Sequence, residues 1–517
     1  MNSAEGDVQY SGPNIAALLT ALEEATRAVP EGGPNVFVRP GGGELEKLKA
    51  RFHHIVFGRR GSGKTSLMRH LESENRAQSK AAIWIDEELF SSMSYPNVLV
   101  SSVLEVMRGL RDLKVRQIDE SKARRPWWRL WDGSSRNSGD KALLERIERI
   151  IANLEELRQF PDNREIEWTR MTSGSNTVEA IGSIKAGPIR SEIGGQSSAA
   201  CELTSRETLI SSKQDFLERT LDQNRAIIME VVDREAGGFV FLDEFSSVDR
   251  NDQPRVLGYM HRLLKDTGLW LKVASVRYRT KSYSRGERPQ GMQLTHDANE
   301  ISLDQGLRLF DSTRVFLESI LSGICEEQSV DFDSLFTDGA KVRLVVAAGG
   351  VPRDYLRLAR ESIRHAQNRG PSQKQGSDKV IAEDVNSAAG ETMRTKMSDL
   401  REDAPNEAAE LDRLLSELGN FCRDNEAAYF LVDNSDPELT AQVDQLQDLR
   451  LVHLVSENET VPSHSSARYR LLLLDVAYLS HKRARRVDFE GWIHDRTKRR
   501  RGALVYSRPQ KDSTPVP

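Results

Sequence analysis

Residues 52–71, FHHIVFGRRGSGKTSLMRHL, constrain the fold more than any other stretch of this chain. Gly58, Gly63, Lys64 and Thr65 stand at the spacing G-x-x-x-x-G-K-T. The apolar run Ile55-Val56-Phe57 leads into the first glycine, and a helix-compatible run from Ser66 to Leu71 follows the threonine. Strand, glycine-rich loop and helix, in that order, are the context in which this spacing becomes a phosphate site. Small residues let successive backbone N–H groups turn inward on an anion, and the new helix adds its positive end. In such a loop Lys64 reaches the β/γ-phosphates and Thr65 ligates Mg²⁺. Gly58, Arg59, Arg60, Gly61, Ser62, Gly63, Lys64, Thr65 and Ser66 are therefore the candidate nucleotide-binding set, with ATP and Mg²⁺ as the expected ligands.

At 517 residues the chain has room for about two to four domains. Charged residues make up 29% and apolar ones 38%, with a mean hydropathy of −0.54, which fits a helix-rich, water-soluble chain without membrane partners. No apolar run approaches the ~18 residues of a membrane helix, and the polar start MNSAEGDVQYSGPN is no signal peptide. Cys201, Cys325 and Cys422 form neither a zinc motif nor a disulfide framework, so a reducing cytoplasm is expected. A net charge of −5 gives no global case for nucleic acid, although the C-terminal end is strongly basic.

Taken in order, residues 14–28 read as a short amphipathic helix with Ile15, Leu18, Leu19 and Leu22 on one face. Residues 36–38 suggest a short strand, and residues 44–52 a helix that leads into the loop's strand. His53 and His54 are expected to pack rather than act. Residues 81–86, AAIWID, give a second buried strand. Regular alternation is then lost, and residues 96–230 read as a large, mostly helical insertion. Within it, 132–140 suggest an exposed loop, 141–160 an amphipathic helix, and 172–200 a hairpin or mobile loop. KARRPWWRLW at 122–131 has two readings: a single-strand-binding mix of arginine and aromatic residues, or a partly buried tryptophan cluster with solvated arginines.

Chemistry returns at residues 238–249, GFVFLDEFSSVD, where an apolar strand ends in Asp243-Glu244. Asp243 is placed to hold the metal shell. Glu244 stands where a general base would polarise an attacking water, the plain alternative being a structural carboxylate. Residues 269–276 are a further core strand with Ser275, Arg277 and Thr280 at or past its end. Ser275 is the preferred residue to touch the γ-phosphate or orient water. Arg277, Arg279 and Arg288 are either surface arginines or arginine fingers acting in trans. Residues 300–304, EISLD, read as the last strand. Gly349-Gly350-Val351-Pro352-Arg353 then opens a helix, and an arginine on that first turn is well placed for a bound phosphate.

Two helices (408–423 and 436–449) and two strands (451–455 and 468–474) suggest a winged-helix-like unit. Asp436, Glu438, Asp444 and Asp448 make its second helix acidic, which disfavours a direct major-groove role for that helix. The runs HKRARR (481–486) and RTKRRR (496–501) can clamp phosphates of DNA or RNA, or serve as a solubilising or partner-binding tail.

The motif order GRRGSGKT, FVFLDEF, LKVASVRYRT, GGVPRDYL and winged-helix-like unit resembles AAA+ ATPases of the origin-recognition and Cdc6-like type and the related STAND signalling ATPases. The stretch from DEF to RYRT is also similar to bacterial P-loop proteins known only as ATP-binding, some of which accompany phage-defence or DNA-processing genes. The resemblance covers about residues 35–95 and 230–480. It implies a second-sensor role for Arg353 and a first-sensor role for Ser275, beside catalytic Lys64 and Glu244. The expected architecture is α/β: a P-loop NTPase, AAA+-like three-layer core with a parallel sheet, a helical lid and a C-terminal winged-helix-like domain. The expected divisions are a lead-in at 1–45, the core at 46–304, the lid at 305–404, the winged-helix-like domain at 405–480 and a basic tail at 481–517. The expected activity is slow, Mg²⁺-dependent ATP hydrolysis driving a conformational switch. Its partners would be DNA or an effector protein, with ATP-dependent homo-oligomerisation. The long insertion and the acidic second helix depart from typical initiators.

Overall fold

The computed structural model describes residues 13–26, 43–123, 134–159, 163–172, 178–184, 204–286, 288–304, 306–369, 379–403, 407–461, 464–481, 487–495, 497 and 504–508. The expected strand at 36–38, residues 124–131 of the tryptophan–arginine cluster and most of both basic runs lie outside them.

Five parallel strands build the central sheet: β1 (His54–Phe57), β2 (Ala81–Asp86), β3 (Gly238–Asp243), β4 (Leu269–Ser275) and β5 (Asn299–Ser302), in the order β5-β1-β4-β3-β2. Their near-continuous apolar runs follow from burial on both faces, the usual condition of a parallel sheet. The helix Lys64–Ala77 covers one face through Leu67, Met68 and Leu71. The helices Asn97–Ala123, Lys213–Val231 and Gln253–Leu264 cover the other. The α/β three-layer P-loop fold expected from the sequence is thus present.

The structure redraws the expected insertion. Leu99, Val103, Leu110, Phe216 and Ile227 sit in the same apolar cluster as β2, β3 and β4, so the helices that carry them belong to the core layer. The segment 132–140 was expected as a loop, but the helix Ser134–Gln159 already runs from its third residue. The hairpin or mobile loop expected at 172–200 lies largely outside the described residues; Asn163–Thr172 pairs antiparallel with both Val178–Ile184 and Thr204–Ser212. The pairing with Thr204–Ser212 joins positions 33 to 49 residues apart, a separation that carries no local signal.

The lid is a bundle made of Phe310–Glu327, Asp338–Ala348, Pro352–Asn368 and Ala382–Asp403. The N-terminal helix Pro13–Ala25 packs Ile15, Leu18 and Leu22 into it, and Glu23 pairs with Arg360 at 2.9 Å. The C-terminal unit is winged-helix-like. It holds helices Ala408–Asp424 and Pro437–Asp448 with β6 (Tyr429–Asp433), β7 (Val452–Val461) and β8 (His464–Leu474), in the sheet order β6-β8-β7. Strand β6 is absent from the sequence reading, because YFLV is a short apolar run that periodicity does not separate from helix. Beyond residue 480 the chain is not simply a basic tail. Phe489, Trp492, Leu504 and Tyr506 are buried against this unit, and Tyr506 N donates to Leu431 O at 2.8 Å.

One buried amine fixes the entry to β1. Lys272, fully buried in β4, donates from Nζ to Ala50 O (2.8 Å) and Phe52 O (3.0 Å) and lies 3.0 Å from His54 Nδ1. His53 Nδ1 accepts from Leu271 N at 2.9 Å. Both histidines are therefore packing residues beside the loop. Burial, with His261, Lys272 and His54 adding to it, pushes His53 down to about 3. Burial and Lys272 push His54 down to about 4. Unfolding frees both to bind protons near their ordinary value of ~6.5. Their contribution to stability is thus complete above that value and lost as pH falls toward 3–4. Chemical-denaturation midpoints should fall between pH 7 and pH 4, and His53→Gln should flatten that dependence.

Candidate functional site

The phosphate loop lies between β1 and its helix, as the spacing demands. Gly61 (φ 85°) and Gly63 (φ 93°) take left-handed backbone that other residues adopt only under strain. At Gly58, a Cβ would come within 2.3 Å of Ser62 Oγ. That hydroxyl oxygen is buried and has no hydrogen-bond partner, as a loop shaped to close on an added acceptor leaves it. Lys64 Nζ folds back on its own loop and donates to Gly58 O at 2.8 Å and Arg59 O at 3.2 Å. Its side chain thereby fills part of the cradle. Phosphate binding requires it to exchange these two carbonyls for phosphate oxygens. Burial lowers the Lys64 ammonium's pKa, against the pull of Glu244, Asp304 and Asp243, while Arg353 lowers it further. Four other charged groups from three elements thus converge on the lysine.

Asp243 ends β3, and its carboxylate is hydrogen-bonded to the Thr65 side chain. Burial pushes that carboxyl up to about 6; the Thr65 bond opposes this and Glu244 adds to it. A buried carboxylate beside a threonine hydroxyl suits a hard cation with oxygen ligands. The residues present therefore fit Mg²⁺, with Thr65 and Asp243 as its holders. Glu244 is half-buried with its backbone in the left-handed region (φ 47°, ψ 37°). Its N–H donates to Asp243 Oδ1 at 3.0 Å, and its carbonyl accepts from Ser247 Oγ at 2.6 Å. Those bonds hold a strained turn that separates the directions of two neighbouring carboxylates.

Other expected residues are placed less simply. Ser275 faces Phe57 in register at the mouth of the loop, and its carbonyl accepts from Gly58 N at 3.3 Å. Its side chain, however, is 0% exposed. Thr280 Oγ1 donates to Val276 O at 2.5 Å, so the 2.5 Å contact between Ser275 Oγ and Thr280 Oγ1 is donated by Ser275. Thr280 is the hydroxyl of that pair that reaches partial exposure. Arg277 is bound to Glu300 and lies over the Phe57 ring. Ser66 is exposed on the helix's first turn. Arg353 does come to the loop: its backbone N donates to Gly61 O at 3.3 Å, and a Cβ on Gly61 would lie 2.7 Å from Arg353 Cβ.

The Arg59 side chain, expected among the phosphate ligands, is committed elsewhere. Its Nε lies 3.3 Å from Asp304 Oδ1, its Nη2 donates to Gly349 O at 2.9 Å, and its Nη1 lies 3.2 Å from His453 Nδ1. Asp304 Oδ1 also accepts from Arg59 N at 2.9 Å. Asp304, Gly349 and His453 are the residues around the loop whose parts the sequence does not announce, whereas Thr280 stands among the polar residues expected at the end of β4. The only signals were an acidic end to the last strand and a doubled glycine before the lid helix.

Among the described residues, cavities on either side take part of their lining from the loop, through Arg60 and through Arg59. One of about 350 Å³ is lined by Arg60, Ser247, Gln253, Arg279, Gln445 and Asp448. The other, about 1090 Å³, is lined by Arg59, Ser302, Asp304, Gly306, Leu309 and Gln447 among others. Both take part of their wall from the acidic helix Pro437–Asp448, so that helix is turned toward the P-loop core. Its Asp444 pairs with Arg470 of β8 at 2.6 Å. No described helix is long and apolar enough to cross a membrane.

If Thr65 and Asp243 hold Mg²⁺, ATP should bind wild-type protein more tightly with Mg²⁺ than with EDTA. In Thr65→Ala that advantage should shrink at least severalfold, read by calorimetric titration in both buffers.

No protein-family model matches the chain, and no curated protein matches it. Among solved structures it is similar to the Orc1 protein of Aeropyrum pernix in complex with DNA. That likeness has 15% identity and a TM-score of 0.36, over 90% of this chain and 95% of that one. It is also similar to a Walker-type ATPase of Pyrococcus abyssi, at 11% identity and a TM-score of 0.41, over 87% of this chain and all of that one (100%). At such scores the fold rests on this chain's own strand order and loop geometry.

Proposed function

We propose that the chain is a Mg²⁺-dependent ATPase that works as a nucleotide-driven conformational switch. The observation that carries this reading is the meeting of three elements at one loop. Lys64 and Thr65 open the helix, Asp243 and Glu244 end β3 beside them, and Arg353 of the lid lies against Gly61. In the hydrolysis, a water oxygen bonds the γ-phosphorus as the bond to the β–γ bridging oxygen breaks, giving ADP and phosphate. Glu244 orients that water and takes its proton. Lys64 and the loop's amides hold the phosphates, and Arg353 reports their state to the lid. Mg²⁺ held by Thr65 and Asp243 supplies charge neutralisation at the phosphates. Ser275 contributes through Thr280 rather than by direct contact. Turnover is slow, in keeping with a switch.

The favoured setting is DNA-associated, as a loading, remodelling or defence ATPase in the cytoplasm that oligomerises with ATP. The winged-helix-like unit and the basic runs at 481–486 and 496–501 support it. A second reading is a STAND-like signalling switch that activates a separate effector without binding DNA. It is favoured by the inward placement of the acidic helix, which leaves that helix no groove to read in this arrangement.

Glu244→Gln should keep ATP binding and lose hydrolysis by about 10²-fold or more; undiminished turnover removes Glu244 from its role. Anisotropy titrations with duplex DNA at several salt concentrations, with and without ATP, separate the two settings. Steeply salt-dependent binding that changes with ATP supports DNA association. Absence of binding at low salt supports the signalling switch.

A further inference from the structure

Arg59 is the second residue of the phosphate loop, yet its guanidinium joins three modules. Asp304 belongs to the end of the core, Gly349 to the lid and His453 to β7 of the winged-helix-like unit. The Arg59 side chain is almost wholly buried, and His453 is 0% exposed. Because a guanidinium only donates, His453 Nδ1 has to accept. The imidazole is then neutral, with its proton on Nε2, and donates to Asp475 Oδ2 at 2.7 Å. Asp475 Oδ2 also accepts from Lys396 Nζ of the lid at 2.7 Å, and Asp475 Oδ1 accepts from Ala477 N at 2.8 Å. Burial favours the neutral ring, and Arg59 and Lys396 work in the same direction against Asp475. Close packing supports the same geometry. A Cβ on Gly349 would lie 2.1 Å from His453 Nδ1, so the lid admits the ring only because a glycine stands there.

We infer that His453 is a positioning residue for the nucleotide site, acting from the C-terminal unit through Arg59 to hold the phosphate loop in its binding shape. Arg59 O is one of the two carbonyls that receive Lys64 Nζ, so the residue clamped by His453 also forms part of the lysine's resting seat. Removing the acceptor leaves a buried guanidinium N–H unpaired directly on the loop. The loop then relaxes to recover a partner, and nucleotide affinity falls. Docking of the winged-helix-like unit and occupancy of the loop are thereby linked through one hydrogen bond. This inference rests on the proposed nucleotide-binding function.

The test is the affinity of the full chain for Mg²⁺-ATP by calorimetry, with unfolding midpoints recorded alongside. His453→Gln keeps an acceptor toward Arg59 and a donor toward Asp475, and should bind within about twofold of wild type. His453→Leu keeps bulk without an acceptor and should bind on the order of tenfold more weakly. His453→Lys opposes a second cation to Arg59 and should be weaker still. In an Arg59→Gln background, His453→Leu should add little, since the two residues act as one unit. The inference is overturned if His453→Leu binds as wild type does, or if its loss is undiminished in the Arg59→Gln background. Should His453→Leu fail to fold, equal affinities of the Gln and Lys variants overturn it instead. A wild-type chain that binds no nucleotide overturns both this inference and the proposed function.

Discussion

A buried guanidinium must be bonded on every side, because an unpaired charged donor inside a protein costs several kcal/mol. Arg59 meets that demand with a carboxylate, a carbonyl and an imidazole drawn from the core, the lid and the winged-helix-like unit. The three modules cannot separate without stripping Arg59 of partners next to the phosphate loop. The closed arrangement of the molecule therefore depends on this cluster. Ion pairs farther out, Arg450 with Asp354 and with Asp399, reinforce the same lid–wing contact.

The core supplies the rigid half of the site. Strand β1 is pinned at its entry by Lys272 and delivers the loop. Strand β3 delivers Asp243 and Glu244 one strand beyond its neighbour β4, which ends in Ser275. Parallel strands whose carboxyl ends share one edge gather such residues from distant parts of the sequence into one crevice. The lid supplies the other half. Gly61, which lacks a Cβ, lets Arg353 and Val351 approach the loop.

The acidic helix Pro437–Asp448 acquires a physical reason in this arrangement. Its Asp444 and Asp448 lie near Arg470, Arg279 and Arg59, and burial together with Asp304 pushes the Asp448 carboxyl up to about 7. Acidic groups on this helix complement the arginines of the face it covers. What looked in the sequence like an unsuitable DNA-reading helix is, in the structure, an internal contact surface.

The sequence by itself determined what is local or strongly patterned. The loop spacing, the apolar strands ending in chemistry, the Asp243-Glu244 pair and the arginine after Gly-Val-Pro were all legible, because each is written within a few residues. The core helices within 96–230 were legible as helices but not as core, since periodicity reports a buried face without naming what covers it. Strand β6 was not legible, because its short apolar run is not separable from helix, nor was the pairing of Asn163–Thr172 with Thr204–Ser212, which is settled between distant residues. Only the tertiary structure decided that Ser275 is sealed behind Thr280, that Arg59 turns from the phosphates to His453, and that Gly349 makes room for an imidazole. The Arg59 contacts join side chains 245 and 394 positions apart in one buried space, and no short-range pattern encodes a partner at that separation.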